Sequence, residues 1–267
     1  MHRLLMISDL HSGHLLGLTP PEYHCEKYPW QKSLWYWYLA AIEMIGPVDD
    51  LVVNGDAVDG EGKRDTAAHL TTDVRKQQEM AIHAIEKIRY NRIHIVRGTS
   101  FHVDGPMSYE DDIADAFGTK ANDDIRLEIY KRLHHYRHVV GRSDTPYGSH
   151  TQIQKEVIND ILQGEFENYP SADVLGRSHV HYCDGTWEAD QTRGIVRHAF
   201  TSPALQLRGP IDSAFTRKLR TWKYHAGVIL VETAKNGEVF IRPLIMKQTM
   251  EQRREYICLT EEESLEN

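Results

Sequence analysis

Short apolar runs that stop at a polar turn recur along this chain. Residues 4–7 (LLMI) stop at Ser8-Asp9, the pattern of a buried strand. Residues 50–54 (DLVVN) repeat it and stop at Gly55-Asp56, and residues 92–96 (RIHIV) repeat it again before Gly98. Two helical stretches lie between them. Residues 30–44 are rich in aromatics and run without a breaker to Gly46-Pro47. Residues 71–89 carry Val74, Met80, Ile82, Ile85 and Ile88 among polar residues and read as an amphipathic helix. The rhythm strand, helix, strand, helix, strand predicts an α/β fold with a parallel sheet, whose ligands bind beyond the carboxyl ends of the strands.

Further on, residues 125–130 and 135–140 read as strands, 151–163 as a helix and 172–175 as a short strand into Gly176. Residues 194–200, 226–232 and 238–244 read as antiparallel strands, the last two joined by the hairpin dipeptide Asn236-Gly237. No repeat or low-complexity linker interrupts the chain. A single domain over 1–250, followed by a charged tail over 251–267, is expected.

Composition narrows the class. With 267 residues, 40% hydrophobic, there is chain enough for one large core. No apolar run approaches the ~20 residues of a membrane span, so no membrane partner is expected. The opening MHRLLMISDL turns acidic too early for a signal peptide, and a cytoplasmic location is expected. Cys25, Cys183 and Cys258 are widely spaced and form no CxxC, which argues against a disulfide framework or a thiolate zinc site. The net charge of −8 argues against whole-surface binding to nucleic acid but leaves room for a local basic groove. Sixteen histidines make chance clusters common, so spacing and context must carry any ligand assignment.

The strand ends supply that context. They carry Asp9-Leu10-His11, Gly55-Asp56, Gly98-Thr99 with His102 close behind, and His179-Val180-His181. Each is weak alone: an Asp after a strand is often an Asx turn, Gly-Asp is common in turns, and alternate residues share a face by pleat. Together, in order and at strand ends, they make a site of carboxylates and imidazoles without thiolates, suited to Mn, Fe or Zn.

This arrangement resembles the calcineurin-like metallophosphoesterases, with their D-x-H, GD, GN-H-D/E, single His and GH-x-H motifs. Asp9 and His11 match the first motif, Asp56 the second, and His179 and His181 the last. The resemblance runs from Met6 to about Cys183, and the wording VRGTSFHVDG and RSHVH is similar to phage-associated members. It implies a four-layered α/β/β/α sandwich and two divalent ions, Mn by preference, with Fe or Zn as alternatives. Asp9, His11 and His181 would hold one ion, His179 and an upstream His the other, with Asp56 bridging. Two such ions about 3.5–4 Å apart clamp a phosphate and activate a bridging hydroxide. His134, His135, His138 and His150 occupy the upstream interval. His138, which follows a strand-like run, is preferred. His150 opens a predicted helix and is the alternative ligand, a cap or a substrate contact.

The third motif departs from the family. Thr99 stands where an Asn ligand is expected, and His102 is displaced by two residues. His102 is the candidate general acid, or a substitute ligand, with Asp104 to orient it. Arg97 and Arg177 could meet a phosphate or pair with nearby acids. Asp59 reads as a turn former or a support for a ligand, and His14 as a solvated loop residue or a substrate contact. Trp30, Trp35 and Trp37 read as core.

The implied reaction is hydrolysis of a phosphoric ester. A phosphodiester is preferred, and nucleic acid is suggested by the basic run 217–220 beside Trp222, Lys223 and Tyr224. The alternatives are a non-catalytic interaction scaffold of the same fold, or a phosphoprotein phosphatase. Oligomeric state is not legible.

Overall fold

The computed structural model describes residues 1–61, 68–99, 108–143, 148–208 and 223–247. His102, Asp104, the basic run 217–220 with Trp222, Cys258 and the tail 251–267 lie outside the described residues.

The first half builds the predicted alternation: β1 (His2–Ile7), α1 (Pro29–Ile45), β2 (Val48–Asn54), α2 (Val74–Ile85) and β3 (Tyr90–Val96). There follow α3 (Tyr109–Ala116), β4 (Ala121–Asn122), β5 (Asp124–Ile129), β6 (Arg132–Arg137), α4 (Gly148–Glu167), β7 (Val174–Arg177), β8 (Asp184–Asp190), β9 (Ile195–Thr201), β10 (Gly227–Thr233) and β11 (Val239–Ile245). The first sheet has the order β11-β10-β1-β2-β3-β4 and the second β5-β6-β7-β9-β8.

The pleat explains how the layers stack. Leu5, Ile7, Leu51 and Val53 point to one side, where they pack on Leu34, Trp35, Tyr38, Ala81 and Ile85 of α1 and α2. Their neighbours Leu4, Met6 and Val52 point the other way and meet Tyr136, Val174 and Phe200 of the second sheet. The central strands are therefore buried on both faces, which is why they read as unbroken apolar runs. On the far side of the second sheet, Ile153 and Val157 of α4 cover Leu175 and Ala199. The fold is the expected α/β/β/α sandwich, and the aromatic helix α1 is core, as Trp35 and Tyr38 demonstrate.

Three details differ from expectation. The first sheet is mixed, because β10 runs antiparallel to β1 and carries β11 outside it. Strand β6 spans Arg132–Arg137, which leaves His138 as the first residue beyond its end. Strand β8 and helix α3 were not anticipated; β8 is a largely exposed edge with little apolar content to mark it. Among the described residues no helix is long and apolar enough to cross a membrane.

The loops after β1, β2, β6 and β7 all leave from carboxyl ends, so both sheets deliver side chains to one edge of the sandwich. Because Leu5 is fully buried under the helices, Leu5→Ala is expected to cost about 2–5 kcal/mol. Urea denaturation checks this as a lower midpoint with an unchanged slope.

Candidate metal centre

The loops beyond β1 and β2 stay zipped after the strands end. Asp9 N–H donates to the Gly55 carbonyl at 3.0 Å and His11 N–H to the Asp56 carbonyl at 3.1 Å. The second sheet is tied in by His179 N–H, which donates to Asp9 Oδ2 at 3.3 Å, while within it Ser178 N–H donates to the His138 carbonyl at 2.9 Å. The chain turns sharply at each of these points. Among the described residues eight non-glycines have positive φ, and five of them are Asp9, His11, Asp56, His179 and His181, at 42° to 71°. Left-handed backbone costs a non-glycine residue about 1–3 kcal/mol and persists only where surrounding contacts dictate it.

Two triads result. Asp9, His11 and His181 bring one donor atom each within 4.8 Å of one another, and so do Asp56, His138 and His179. His11 Nε2 and His181 Nε2 lie 3.3 Å apart. Two imidazole nitrogens, each bound at ~2.0–2.1 Å to one tetrahedral ion, would be about 3.3 Å apart. Asp9 Oδ1 is 3.1 Å from His181 Nε2 and 3.9 Å from both His11 Nε2 and His138 Nε2, which places it between the triads. Asp9 is 0% and Asp56 2% exposed. Asp9 Oδ1 and His138 Nε2 are buried yet make no aligned hydrogen bond, although Nε2 is 3.0 Å from Asp56 Oδ2. Inward-facing nitrogen and oxygen donors of this kind fit divalent cations.

Glycines make the close approach possible. A Cβ on Gly55, whose φ is 81°, would sit 2.5 Å from the His138 ring, and one on Gly98 would sit 2.1 Å from Asp56 Oδ1.

Five of the six donors are also held from outside the cluster. His11 Nδ1–H donates to Asp59 Oδ1 at 2.9 Å, and the other oxygen of Asp59 is 2.8 Å from His69 Nε2. His181 Nδ1–H donates to the Tyr224 hydroxyl at 3.2 Å, and that hydroxyl donates to the Gln206 carbonyl at 3.2 Å. His138 Nδ1–H donates to the Asn54 carbonyl at 2.6 Å. These partners leave each Nε2 facing inward, as outer hydrogen bonds do for metal-binding imidazoles. Asp9 Oδ2 accepts from Ser8 Oγ at 2.5 Å, which leaves Oδ1 to the imidazoles. Thr99 N–H and Oγ1–H donate to Asp56 Oδ1 at 2.7 and 3.2 Å, so this residue steadies the carboxylate.

Charge is balanced within the cluster. Burial alone would raise the Asp9 pKa, but the imidazoles of His181 and His138 outweigh it and hold the carboxyl well below the usual range. Burial alone would lower that of His138, but Asp56 and Asp9 push it up to about 10. For His181 burial prevails over Asp9, and its pKa falls.

The structure sorts the sequence candidates. It brings together Asp9, His11, Asp56, His138, His179 and His181, with Thr99 touching Asp56. His150 is not in either triad; its Nδ1 is 3.0 Å from Asp184 Oδ1. Arg97 and Arg177 correct the phosphate-contact alternative in favour of the other reading, pairing with nearby acids. The Arg97 guanidinium is taken up by Asp111 and Asp123, and that of Arg177, 1% exposed, by Glu156. A position beside a strand end does not say where a long side chain turns. His14 is a second correction: it is buried, and its Nδ1 accepts from Leu16 N–H at 3.0 Å. Sequence reasoning missed Asn54, His69 and Tyr224. Only Asp59, in GDAVDG, stood close enough to the motif to be noticed.

No protein-family model matches the sequence, and neither does any curated protein. Solved structures do resemble it. A dimetal phosphatase from Danio rerio superposes with a TM-score of 0.46 at 11% identity, over 91% of this chain and 95% of that one. Zinc-complexed Vps29 from Entamoeba histolytica gives 0.44 at 12%, over 91% and 98%. A metallophosphoesterase from Sphaerobacter thermophilus gives 0.40 at 14%, over 91% and 88%. Its structural neighbours are thus metallophosphoesterases and Vps29 proteins.

The raised pKa of His138 sets a pH dependence for the metal-free protein. Stability from its pairing with Asp56 is complete below the ordinary pKa of 6.5 and is lost as pH rises through about 10. Ring-nitrogen NMR of His138 should report an imidazolium at pH 8; a ring that titrates near 6.5 would contradict this.

Proposed function

We propose that this protein is a cytoplasmic, binuclear metal-dependent phosphoesterase acting on a phosphodiester. The observation that carries the reading is the pair of abutting triads, in which five of the six donor residues sit on left-handed backbone. In this reading Asp9, His11 and His181 hold one ion and Asp56, His138 and His179 the other, with Asp56 shared. The donor set of carboxylates and imidazoles suits Mn, with Fe or Zn as alternatives. Such ions, when bound, polarise the phosphate and acidify an attacking water to hydroxide.

The protein's own residues have separate tasks. Thr99 stands where an Asn would donate an oxygen, and instead its donors fix the Asp56 carboxylate. His179 is 37% exposed on its side chain, so the second triad has a face open to substrate. His102 is assigned the proton for the leaving oxygen. Nucleic acid is the substrate class that suits the basic sequence run 217–220 and the nearby Trp222. A scaffold without metal would gain nothing from keeping five donor residues in left-handed backbone.

The test is metal content together with Mn-dependent hydrolysis of an aryl phosphodiester and an aryl monoester. Wild type should carry two ions and favour the diester. Asp56→Asn should lose metal and at least about 100-fold in kcat/KM. A metal-free wild type, or activity unchanged by Asp56→Asn, contradicts the proposal. His102→Ala should keep both ions and lose turnover, whereas His138→Ala should lose one ion.

A further inference from the structure

The strand ends that deliver His138 and His179 are fastened to each other from behind the second sheet. Strands β6 and β7 run parallel, with Tyr136 opposite Gly176, so Arg137 and Arg177 are the next residues along each. Arg137 immediately precedes His138, and Arg177 stands two residues before His179. Both guanidinium groups reach the same atom on α4: Glu156 Oε2 accepts from Arg137 Nη2 at 2.7 Å and from Arg177 Nε at 2.8 Å. Arg177 also donates from Nη1 to the carbonyls of His135 at 3.1 Å and Gly176 at 3.0 Å. A charged side chain this deeply buried is retained only where it is fully paired.

The position of this group explains what the pairing can do. The imidazoles of the first triad are held by side chains, Asp59 and Tyr224. In the second triad His138 is held through backbone, by the Asn54 carbonyl, and the ring of His179 is partly exposed. The spacing of the second triad therefore depends on how firmly the ends of β6 and β7 are held together. Glu156 grips both ends from α4. We infer that Glu156 is a positioning residue, which through Arg137 and Arg177 sets the separation of His138 and His179 and so the affinity of the second metal position. This rests on the metal-centre reading above.

The test uses the full-length protein and equilibrium dialysis against Mn²⁺, with ions counted per chain. Glu156→Gln should weaken the second ion about 10- to 100-fold, the range seen when outer support of a ligand is lost. The first ion's affinity should change by less than about two-fold. Arg137→Met keeps the Glu156–Arg177 pair intact, so it stays folded and should also weaken the second ion selectively. The double variant should be no worse than the poorer single one, because the two residues act as one unit. Ile153→Val, which loosens α4 packing but leaves the pair in place, should lower Tm and leave both affinities alone.

Equal loss of both ions, or second-ion binding unchanged in folded Glu156→Gln and Arg137→Met, overturns the inference. So does selective loss of the second ion in Ile153→Val, which would make any loosening of α4 sufficient. A wild type that takes up no Mn²⁺ instead overturns the metal-centre reading itself, and this inference with it.

Discussion

The rest of this structure depends on keeping two carboxylates, Asp9 and Asp56, buried side by side. Neither has appreciable contact with water. An unpaired buried carboxylate is costly, and two close together repel each other. The fold meets this by surrounding the pair with imidazoles from both sheets: His11 from the β1 loop, His138 from beyond β6, and His179 and His181 from beyond β7. The six donors come from loops of both sheets, and Gly55 and Gly98 leave the space that His138 and Asp56 occupy.

The two halves of the centre are supported differently. The first triad is enclosed, and its rings are fixed by Asp59 and Tyr224. The second is open on the His179 side and is steadied by Thr99, the Asn54 carbonyl and the strand ends themselves. The left-handed turns at five donor residues are stable only as part of the assembled cluster.

Much of this was legible in the chain because its donors are anchored to regular elements. Asp9, His11, Asp56, His179 and His181 each follow a short apolar run that reads as a buried strand, so their convergence follows once the sheet forms. His138 could be preferred over His150 for the same reason. What could not be read involves geometry without a local pattern. Asn54 contributes a backbone carbonyl, which any residue would offer, and Tyr224 arrives from 43 residues beyond His181. Edge strand β8 has too few apolar positions to declare itself. Helix α3 is short, and its one clear signal is a capping box at Ser108 and Asp111. For Arg97 and Arg177 the chain left phosphate contact and pairing with acids both open, because periodicity does not reveal which acids lie within reach.

The central claim is that the two triads are two cation positions that share one edge. Crystals grown with Mn²⁺ and measured at the manganese absorption edge test it most directly. The account predicts two anomalous peaks about 3.5–4 Å apart, one among Asp9, His11 and His181 and one among Asp56, His138 and His179. No peak, or peaks only at surface carboxylates away from these six residues, would contradict it.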